Sequence, residues 1–311
     1  MSVSIVIPAY NAAGFISRTL DTVRTQTFAE HETIVVDDGS TDGTDGVVQA
    51  YLTRHAMHGR VVRQENRGIA AARNAGMRAA NGTYVALLDH DDLWYPDKLA
   101  AVMAVFERHP DTDLVCHDEN ITREGRVVRV SRRRLPRGNL YEALLFGGNR
   151  LSPSATTVRR DAALALGGFD ERPEYLTVED YDFWLRFSRK RRIQFLDRVL
   201  GEYVLVDRAA SRRIVFHHTA LERMLRCHLE AYTDTHDGLL VRVRARRRLA
   251  QVHRSALRQL IAYKEGAGDQ QRLVGRMLRT YPLEVRNIAV ALLWMLAAVR
   301  RAGEAALTSH V

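Results

Sequence analysis

The strongest constraint on the fold is an alternation of strand-like and helix-like patterns over the first 120 residues. Val3 to Ile7 is a β-branched run of strand length ended by Pro8, and apolar residues at helical spacing follow it from Phe15 to Val23. The alternation then repeats, with strands predicted at 33–36, 61–62, 83–88 and 114–116 and helices at 44–56, 68–80 and 96–108. Strands that alternate with helices indicate a doubly wound α/β sheet.

Beyond residue 120 the pattern changes twice. The predicted elements between 120 and 205 are a hairpin around Glu124-Gly125, short helices near 140–146, 161–166 and 179–190, and strand-like runs near 193–197 and 203–206. Apolar stripes at helical spacing fill the chain after residue 215. The sequence therefore predicts two domains, a sheet-containing domain at 1–210 and a basic α-helical subdomain at 211–311.

The positive charge is concentrated in the predicted helical subdomain. Residues 205–311 carry 19 Lys and Arg against 9 Asp and Glu, whereas residues 1–204 carry 27 against 28. An isoelectric point near 9.9 is typical of nucleic-acid-binding proteins. Since only the tail is basic, we expect no nucleic-acid partner, and nucleic-acid binding through this tail remains an alternative.

Membrane and compartment signals are weak in this sequence. The start of the chain lacks the basic region of a secretory signal, and the longest apolar run, Ile288 to Val299, is shorter than the about 20 residues that span a bilayer. Two distant cysteines, Cys116 and Cys227, fit a reducing compartment, so we expect a cytoplasmic protein. Segment 286–301 suits a helix lying on the inner face of a membrane and, equally, a helix packed in the subdomain or in a homodimer interface.

Two acidic clusters follow predicted strands, Asp37-Asp38 and Asp89-His90-Asp91-Asp92. Ligands of open α/β sheets bind at the carboxyl ends of the strands. Carboxylate oxygens there suit Mg²⁺ or Mn²⁺ held together with substrate phosphates. Aspartates also favour turns and helix N-caps, which would explain either cluster alone, but two clusters at one sheet edge favour a functional site.

A dinucleotide-binding Rossmann site is the natural competitor. It requires a G-x-G-x-x-G fingerprint directly after the first strand. The first strand is instead followed by Pro8-Ala9-Tyr10-Asn11-Ala12-Ala13-Gly14, and the glycines at 39, 43 and 46 follow the second strand and an acidic pair. The sequence therefore argues against hydride transfer with a nicotinamide cofactor.

Six motifs together resemble those of the family 2 glycosyltransferases, over about residues 1–205. Each motif is weak alone, and their number and order carry the resemblance. They are Ser4-Ile5-Val6-Ile7-Pro8-Ala9-Tyr10-Asn11, Val35-Val36-Asp37-Asp38-Gly39-Ser40-Thr41-Asp42, Glu65-Asn66-Arg67-Gly68 to Arg73-Asn74-Ala75-Gly76, Leu88-Asp89-His90-Asp91-Asp92, Gly167-Gly168-Phe169-Asp170, and Glu179-Asp180-Tyr181-Asp182-Phe183-Trp184-Leu185-Arg186.

The resemblance implies a GT-A fold, a Rossmann-like mixed sheet flanked by helices, and inverting transfer of a sugar from a nucleoside diphosphate. It implies a donor nucleotide site at Pro8, Tyr10, Asp38, Arg73 and Asp89, with Asp91 on a divalent Mn²⁺ or Mg²⁺ and Asp180 as the general base. Without the resemblance, Asp180 would be read as an exposed carboxylate that the helix dipole favours. Near the acceptor or sugar we expect Asn149, Gly168, Phe169 and Glu179.

The expected function is therefore metal-dependent hexosyl transfer from a nucleotide sugar, with UDP favoured, to a saccharide or lipid-linked hydroxyl in cell-surface polysaccharide or glycolipid synthesis. A nucleotide-sugar-binding protein without turnover is the alternative. The pair His217-His218 offers a late metal ligand, but core or surface histidines are the favoured reading.

Overall fold

The computed structural model describes residues 2–134, 138–205, 214–262, 267–282 and 284–308. The chain forms two compact units, Met1–Leu144 with Gly148–Ala209, and Leu145–Gly147 with Ala210–Val311. We call them the sheet unit and the helical unit. The predicted domain boundary between 210 and 211 lies outside the described residues.

A mixed sheet of nine strands forms the centre of the sheet unit, in the order β3-β2-β1-β4-β8-β6-β9-β5, with β7 paired to β6. The strands are β1 (Val3–Ala9), β2 (His31–Asp38), β3 (Gly59–Gln64), β4 (Tyr84–Leu87), β5 (Leu93–Trp94), β6 (Leu114–Arg123), β7 (Arg126–Ser131), β8 (Thr156–Arg159) and β9 (Ile193–Val204).

Helices cover the sheet and form the helical unit. In the sheet unit they are α1 (Ile16–Arg24), α2 (Thr44–Arg54), α3 (Ile69–Ala79), α4 (Lys98–Arg108), α5 (Leu140–Gly147, which ends in the other unit), α6 (Arg160–Ala165) and α7 (Glu179–Ser188). The helical unit contains α8 (Ile214–Thr235), α9 (Leu239–Ala262), α10 (Ala267–Thr280) and α11 (Val285–Thr308).

The parallel half of the sheet places both acidic clusters beside the end of β1. Strands β2 and β4 both pair with β1 in parallel, so their carboxyl ends lie at one edge. Every residue of β1 and of β4 is buried, because helices cover both faces of a parallel sheet. The apolar run predicted as the first strand therefore forms the middle of the core, and it fixes where the loops after β1, β2 and β4 meet.

The second half of the sheet differs from the sequence prediction in several places, including the short strands β5 and β8, which the sequence pattern does not predict. The predicted short strand at 114–116 is the beginning of the ten-residue β6, which continues into the predicted hairpin with β7. The strand-like run near 193–197 and the beginning of the run near 203–206 belong to one strand, β9, which ends at Val204; residue 206 lies outside the described residues. The pairing of β9 with β6 shifts register after His117 and again after Asp118. These irregularities interrupt the apolar alternation, which is why the sequence shows two runs instead of one strand.

The helical unit has its own core, formed by apolar side chains of α8 to α11, including Ile214, Leu257, Met277 and Val290. Among the described residues, every helix is too short or too polar to cross a membrane. The stripes of leucine, valine and methionine seen in the sequence thus serve helix-to-helix packing inside this unit.

Candidate active site

The loops after β1 and β2 are fastened to each other by hydrogen bonds. The Asn11 backbone N–H donates to the Ser40 hydroxyl at 2.9 Å, and the Asn11 side-chain oxygen accepts from the Thr41 N–H at 3.0 Å. Asn11 has a φ of +49°, which an asparagine tolerates better than most side chains. The two loops are therefore held together as one preorganised surface at the sheet edge, and we call this surface, together with the loop after β4, the cleft.

Asp38, the last residue of β2, is buried and already holds three hydrogen bonds. One oxygen accepts from the Gln64 side chain at 2.7 Å and the Arg67 N–H at 2.9 Å, and the other accepts from the Gly68 N–H at 2.8 Å. Gly68 precedes α3 and has a φ of +88°, a conformation that glycine adopts without strain. Asp38 thus fixes the start of α3, and its carboxylate keeps one of its roughly four acceptor positions free.

Pro8 and Tyr10 lie at the same preorganised surface and differ in exposure. Pro8 is buried, and its carbonyl is 2.9 Å from the Nδ1 atom of His90. The Tyr10 ring is nearly half exposed, so a flat ligand has access to one of its faces. His90 itself packs against the ring of Phe15 at 5.5 Å. The second acidic cluster is therefore attached directly to the loop that carries the first motif.

The loop Asp89–Asp92 is held by Ser154, which precedes β8. The Ser154 hydroxyl accepts from the Asp89 N–H at 3.0 Å and donates to Asp92 at 2.6 Å. The other oxygen of Asp92 accepts from the Val204 N–H at 2.9 Å. Burial, and then the charges of Asp89 and Glu119, raise the pKa of Asp92 well above its usual range. Asp92 therefore acts inside the protein, as the anchor of this loop.

Asp91 has the properties of a metal ligand. Its side chain is partly exposed and makes no hydrogen bond to another described residue. Burial and the charge of Asp89 raise its pKa, although His90 opposes them, so a cation beside it would relieve the cost of ionisation. Asp89 keeps one carboxylate oxygen without a partner among the described residues, since Arg73 binds the other. Two such oxygens suit Mg²⁺ or Mn²⁺, which retain few protein ligands.

Arg73 is buried under the cleft and joins two of its parts. Its guanidinium donates to Asp89 at 2.7 Å and to Glu179 at 2.8 Å, and it lies 5.3 Å from the centre of the Phe169 ring. Only 2% of the Arg73 side chain is exposed. Its position between the two carboxylates links the loop after β4 to the beginning of α7. Because Arg73 is buried, it would act on a donor nucleotide through Asp89, which is partly exposed.

Asp180 lies in the first turn of α7, beside Glu179. One oxygen accepts from the Tyr181 N–H at 2.6 Å and the other from the Asn149 side chain at 3.1 Å. Burial and the charge of Glu179 raise the pKa of Asp180 to about 7, although Arg73 and both hydrogen bonds oppose the shift. A carboxyl group with a pKa near neutrality, on a partly exposed side chain, is suited to accept a proton from a hydroxyl.

The Gly167–Asp170 segment supports α3 and α7 from behind. Asn74 accepts from the Phe169 N–H and donates to its carbonyl, both at 2.8 Å. Gly168 has a φ of +69°, and a Cβ atom there would lie 2.3 Å from the Asn74 side-chain oxygen. Phe169 is buried and stacks on Phe183 at 4.5 Å. Gly168 and Phe169 are thus held by packing and also line a cavity with Asn74, and their expected place near the acceptor stays a prediction. Asn149 is exposed and directly contacts Asp180.

Tyr203, near the end of β9, is a cleft residue that sequence reasoning missed. Tyr203 is 38% exposed, and its partial burial together with the charges of Asp92, Asp89, Asp91 and Asp180 raises the pKa of its phenol. The signal that reveals it is the hydrogen bond from Val204 to Asp92, a contact between residues 112 positions apart. No local pattern in the sequence could have indicated that proximity.

The pair His217-His218 lies in the helical unit, where His218 faces α9. His218 Nε2 is 3.1 Å from His253 Nδ1, and Glu222 lies 3.7 Å and 3.9 Å from these two atoms. Burial lowers the pKa of both His218 and His253 to about 4. Arg226 and Arg276 already neutralise Glu222, at 2.7 Å and 2.9 Å, which disfavours a cation there. The favoured reading of His218 as a core histidine agrees with this environment.

Solved structures with the same architecture hold a nucleotide or a nucleotide sugar. A structure of S. aureus TarS residues 1–349 in complex with UDP has a TM-score of 0.57 at 19% identity and covers 96% of this chain and 92% of that one. The mannosyltransferase PcManGT from Pyrobaculum calidifontis, in complex with GDP-Man and Mn²⁺, has a TM-score of 0.56 at 20% identity and covers 94% and 86%. These similarities confirm the predicted GT-A fold.

Several sequence relatives are named as glycosyltransferases. A Rickettsia prowazekii glycosyltransferase without a characterised activity is 30% identical over 249 residues, which are 76% of this chain and 71% of that protein. The amylovoran biosynthesis glycosyltransferase AmsB of Erwinia amylovora is 32% identical over 222 residues, 68% of this chain and 72% of the relative. The family model described as Glycosyl transferase family 2 matches residues 4–167. The chain belongs to this family and is a nucleotide-sugar-dependent glycosyltransferase.

Proposed function

We propose that this protein transfers a sugar from a nucleoside diphosphate, with UDP as the expected nucleotide, to an acceptor hydroxyl with inversion at the anomeric carbon. The observation that carries the proposal is the geometry at the start of α7, where the Tyr181 N–H and the Asn149 side chain hold the two oxygens of Asp180 and the adjacent Glu179 binds the buried Arg73. The family match ends at residue 167, so the role of Asp180 is supported by its geometry and by the motif around it.

Asp180 is the general base of the proposed reaction. Its carboxylate removes the proton of the acceptor hydroxyl as that oxygen attacks the anomeric carbon, and the nucleoside diphosphate leaves from the opposite face. This single displacement requires no covalent enzyme intermediate. Asn149 holds one oxygen of Asp180, and the Tyr181 N–H holds the other, so the carboxylate is oriented before an acceptor binds.

Asp91 and the free oxygen of Asp89 would hold the divalent cation, which supplies Lewis-acid stabilisation of the diphosphate leaving group. The Mn²⁺ bound with GDP-Man in PcManGT supports this assignment. Tyr10 and the remaining acceptor position of Asp38 are proposed to bind the base of the nucleotide. UDP is favoured because the similar TarS structure contains UDP, and UDP would present its uracil N–H to Asp38.

The acceptor is proposed to be a saccharide or a lipid-linked saccharide of a cell-surface polysaccharide. The similarity to AmsB, named for amylovoran biosynthesis, supports a polysaccharide product. The exposed Asn149 and the partly exposed Asp180 are proposed to face this acceptor.

The test is thermal unfolding with UDP, GDP, dTDP and CDP, each with and without Mn²⁺, followed by measurement of sugar transfer. A ligand at about 100 times its dissociation constant adds about 2.7 kcal/mol of stability. We expect a metal-dependent shift of the unfolding midpoint with UDP. A shift with another nucleotide would correct the donor, and no shift with any of the four would overturn the nucleotide site.

Two variants separate binding from chemistry. Asp91→Asn should lose the metal-dependent part of the shift, and Asp180→Asn should keep the full shift and lose transfer. Asp161→Asn, a change of a well exposed carboxylate on α6, is the matched control and should alter neither property. Full transfer by Asp180→Asn would contradict the assignment of the base.

A further inference from the structure

Helix α11 has an apolar face that the described part of the chain leaves uncovered. Six apolar side chains of α11 are between 45% and 76% exposed: Val285, Ile288, Leu292, Leu293, Met295 and Leu296. At about 100° per residue these positions share one side of the helix over three turns. The opposite side, with Asn287, Val290 and Ala291, is buried against the helical unit. The outer side of α11 is therefore apolar, whereas the outer side of a surface helix is usually polar.

The contacts on the buried side fix which way α11 faces. Asn287 accepts from the Arg254 side chain at 2.7 Å and donates to the Tyr281 carbonyl at 2.9 Å. Trp294 packs against the core of the helical unit from the same side. These polar and aromatic contacts prevent the helix from turning its leucines inward. The reading of segment 286–301 as a helix wholly buried in the subdomain is thereby excluded for its described side chains.

The positive charge of the helical unit favours an anionic surface over a second copy of the unit as the partner of this apolar face. Residues 205–311 carry 19 basic and 9 acidic residues, so a second copy of this unit would meet a surface of the same sign. An anionic surface attracts the unit instead, and each basic residue near such a surface adds to binding. Arg286 is exposed beside Val285, at the edge of the apolar face, where a guanidinium reaches lipid headgroups while its neighbours enter the acyl boundary.

We propose that the outer face of α11 binds the surface of an anionic lipid bilayer, with its leucines at the headgroup boundary and its axis in the membrane plane. This contact rests on the proposed function and deepens it, since it holds the enzyme at the membrane in which a lipid-linked acceptor is embedded. The interaction is peripheral, because it uses one face of one helix and the positive charge of its unit.

The test is co-sedimentation of the full chain with vesicles of phosphatidylcholine alone and of phosphatidylcholine mixed with phosphatidylglycerol. We expect binding to the mixed vesicles, weakening as salt is added, and little binding to the neutral ones. The double variant Leu292→Glu/Leu296→Glu should lose at least tenfold in vesicle affinity. Both side chains are exposed, so the variant should unfold at the wild-type midpoint and keep the metal-dependent UDP shift.

The matched control is Val127→Glu/Val128→Glu on β7, a pair that is 54% exposed at each position in the sheet unit. This variant should bind vesicles as the wild type does. Equal binding by the α11 variant, or no wild-type binding to anionic vesicles, would overturn the proposal. Light scattering that shows a wild-type dimer and an α11 variant monomer would assign the face to a second copy instead. None of these outcomes depends on whether the sheet unit binds UDP.

Discussion

Arg73 donates a hydrogen bond of 2.8 Å to Glu179, and both side chains are almost fully buried. The same guanidinium binds Asp89, so a single cation compensates two carboxylates under the cleft. Glu179 in turn lies beside Asp180 and raises the pKa of that group. The Arg73–Glu179 ion pair therefore affects both the stability of the sheet unit and the pKa of the proposed base, Asp180.

Activity should depend on pH through Asp180. The carboxylate is the active form of a base, and its pKa is raised to about 7, so kcat/KM should rise with pH and level off above neutrality. Asp180→Asn should lower the rate by a factor of about 10²–10⁴ and remove this limb. The measurement is the pH profile of kcat/KM under donor saturation. If Asp180→Asn has residual activity and its kcat/KM rises with pH as in the wild type, the titrating group is a residue other than Asp180.

Loss of Asn149 should shift the rise of kcat/KM to higher pH. Asn149 donates to the ionised form of Asp180 and thereby lowers its pKa. In Asn149→Ala the carboxyl should hold its proton to higher pH, by about one pH unit, since a hydrogen bond to a charged group is worth about 1.4 kcal/mol or somewhat more. The plateau rate at high pH measures separately the proposed contact of Asn149 with the acceptor. A loss at the plateau with an unmoved limb would contradict the effect of Asn149 on the pKa of Asp180.

Removing Arg73 should destabilise the protein strongly. Arg73→Met leaves the buried Glu179 and the partly buried Asp89 without their cation, and breaking a buried pair in this way costs about 3–5 kcal/mol. The exposed pair Arg67–Glu171, at 2.7 Å, supplies the control: Arg67 is 59% exposed, and Arg67→Met should cost at most about 1 kcal/mol. Urea unfolding measures both values. Adding Glu179→Gln to Arg73→Met should recover part of the loss, and a strictly additive double variant would contradict the pairing.

Gly168 should not tolerate a methyl group. The added Cβ would lie 2.3 Å from the Asn74 oxygen that accepts from the Phe169 N–H, so overpacking adds about 1–3 kcal/mol to the left-handed backbone cost. Gly125 has a similar φ of +74° but open space around it, so Gly125→Ala carries only the backbone cost of about 1–2 kcal/mol. Urea unfolding of both variants gives the difference. Equal losses would mean that Asn74 moves aside freely.

The sequence was sufficient for the fold of the first half and for the position of the acidic clusters. The β-branched runs and alanine-rich helix could be read locally, and parallel pairing of β1 with β2 and β4 places Asp38 and Asp89 at one edge. The family motifs supplied Asp180. The roles of the individual residues in catalysis remain predictions.

Other features depend on contacts between distant residues and could not be read from the pattern. Nothing local to Arg73 or Glu179 indicates that they meet across 106 residues in a buried pair. The pKa of Asp180 depends on burial and on that pair. No local pattern indicates that Ser154 holds the loop Asp89–Asp92. The packing role of Phe169 follows from its stack on Phe183, and the glycine-rich motif around Phe169 does not predict that contact.

The chain of hydrogen bonds from Val204 through Asp92 and Ser154 to Asp89 has a consequence for chimeric enzymes. It joins three segments that are far apart in the sequence into one exchangeable block. Consider a chimera in which the loop before β8 comes from another glycosyltransferase and the ends of β4 and β9 stay in place. The hydrogen bonds of Ser154 to Asp89 and Asp92 would then be lost unless the new loop also has a serine there. Recombination should therefore preserve activity only when all three segments come from one parent, whatever the source of the acceptor-facing loops.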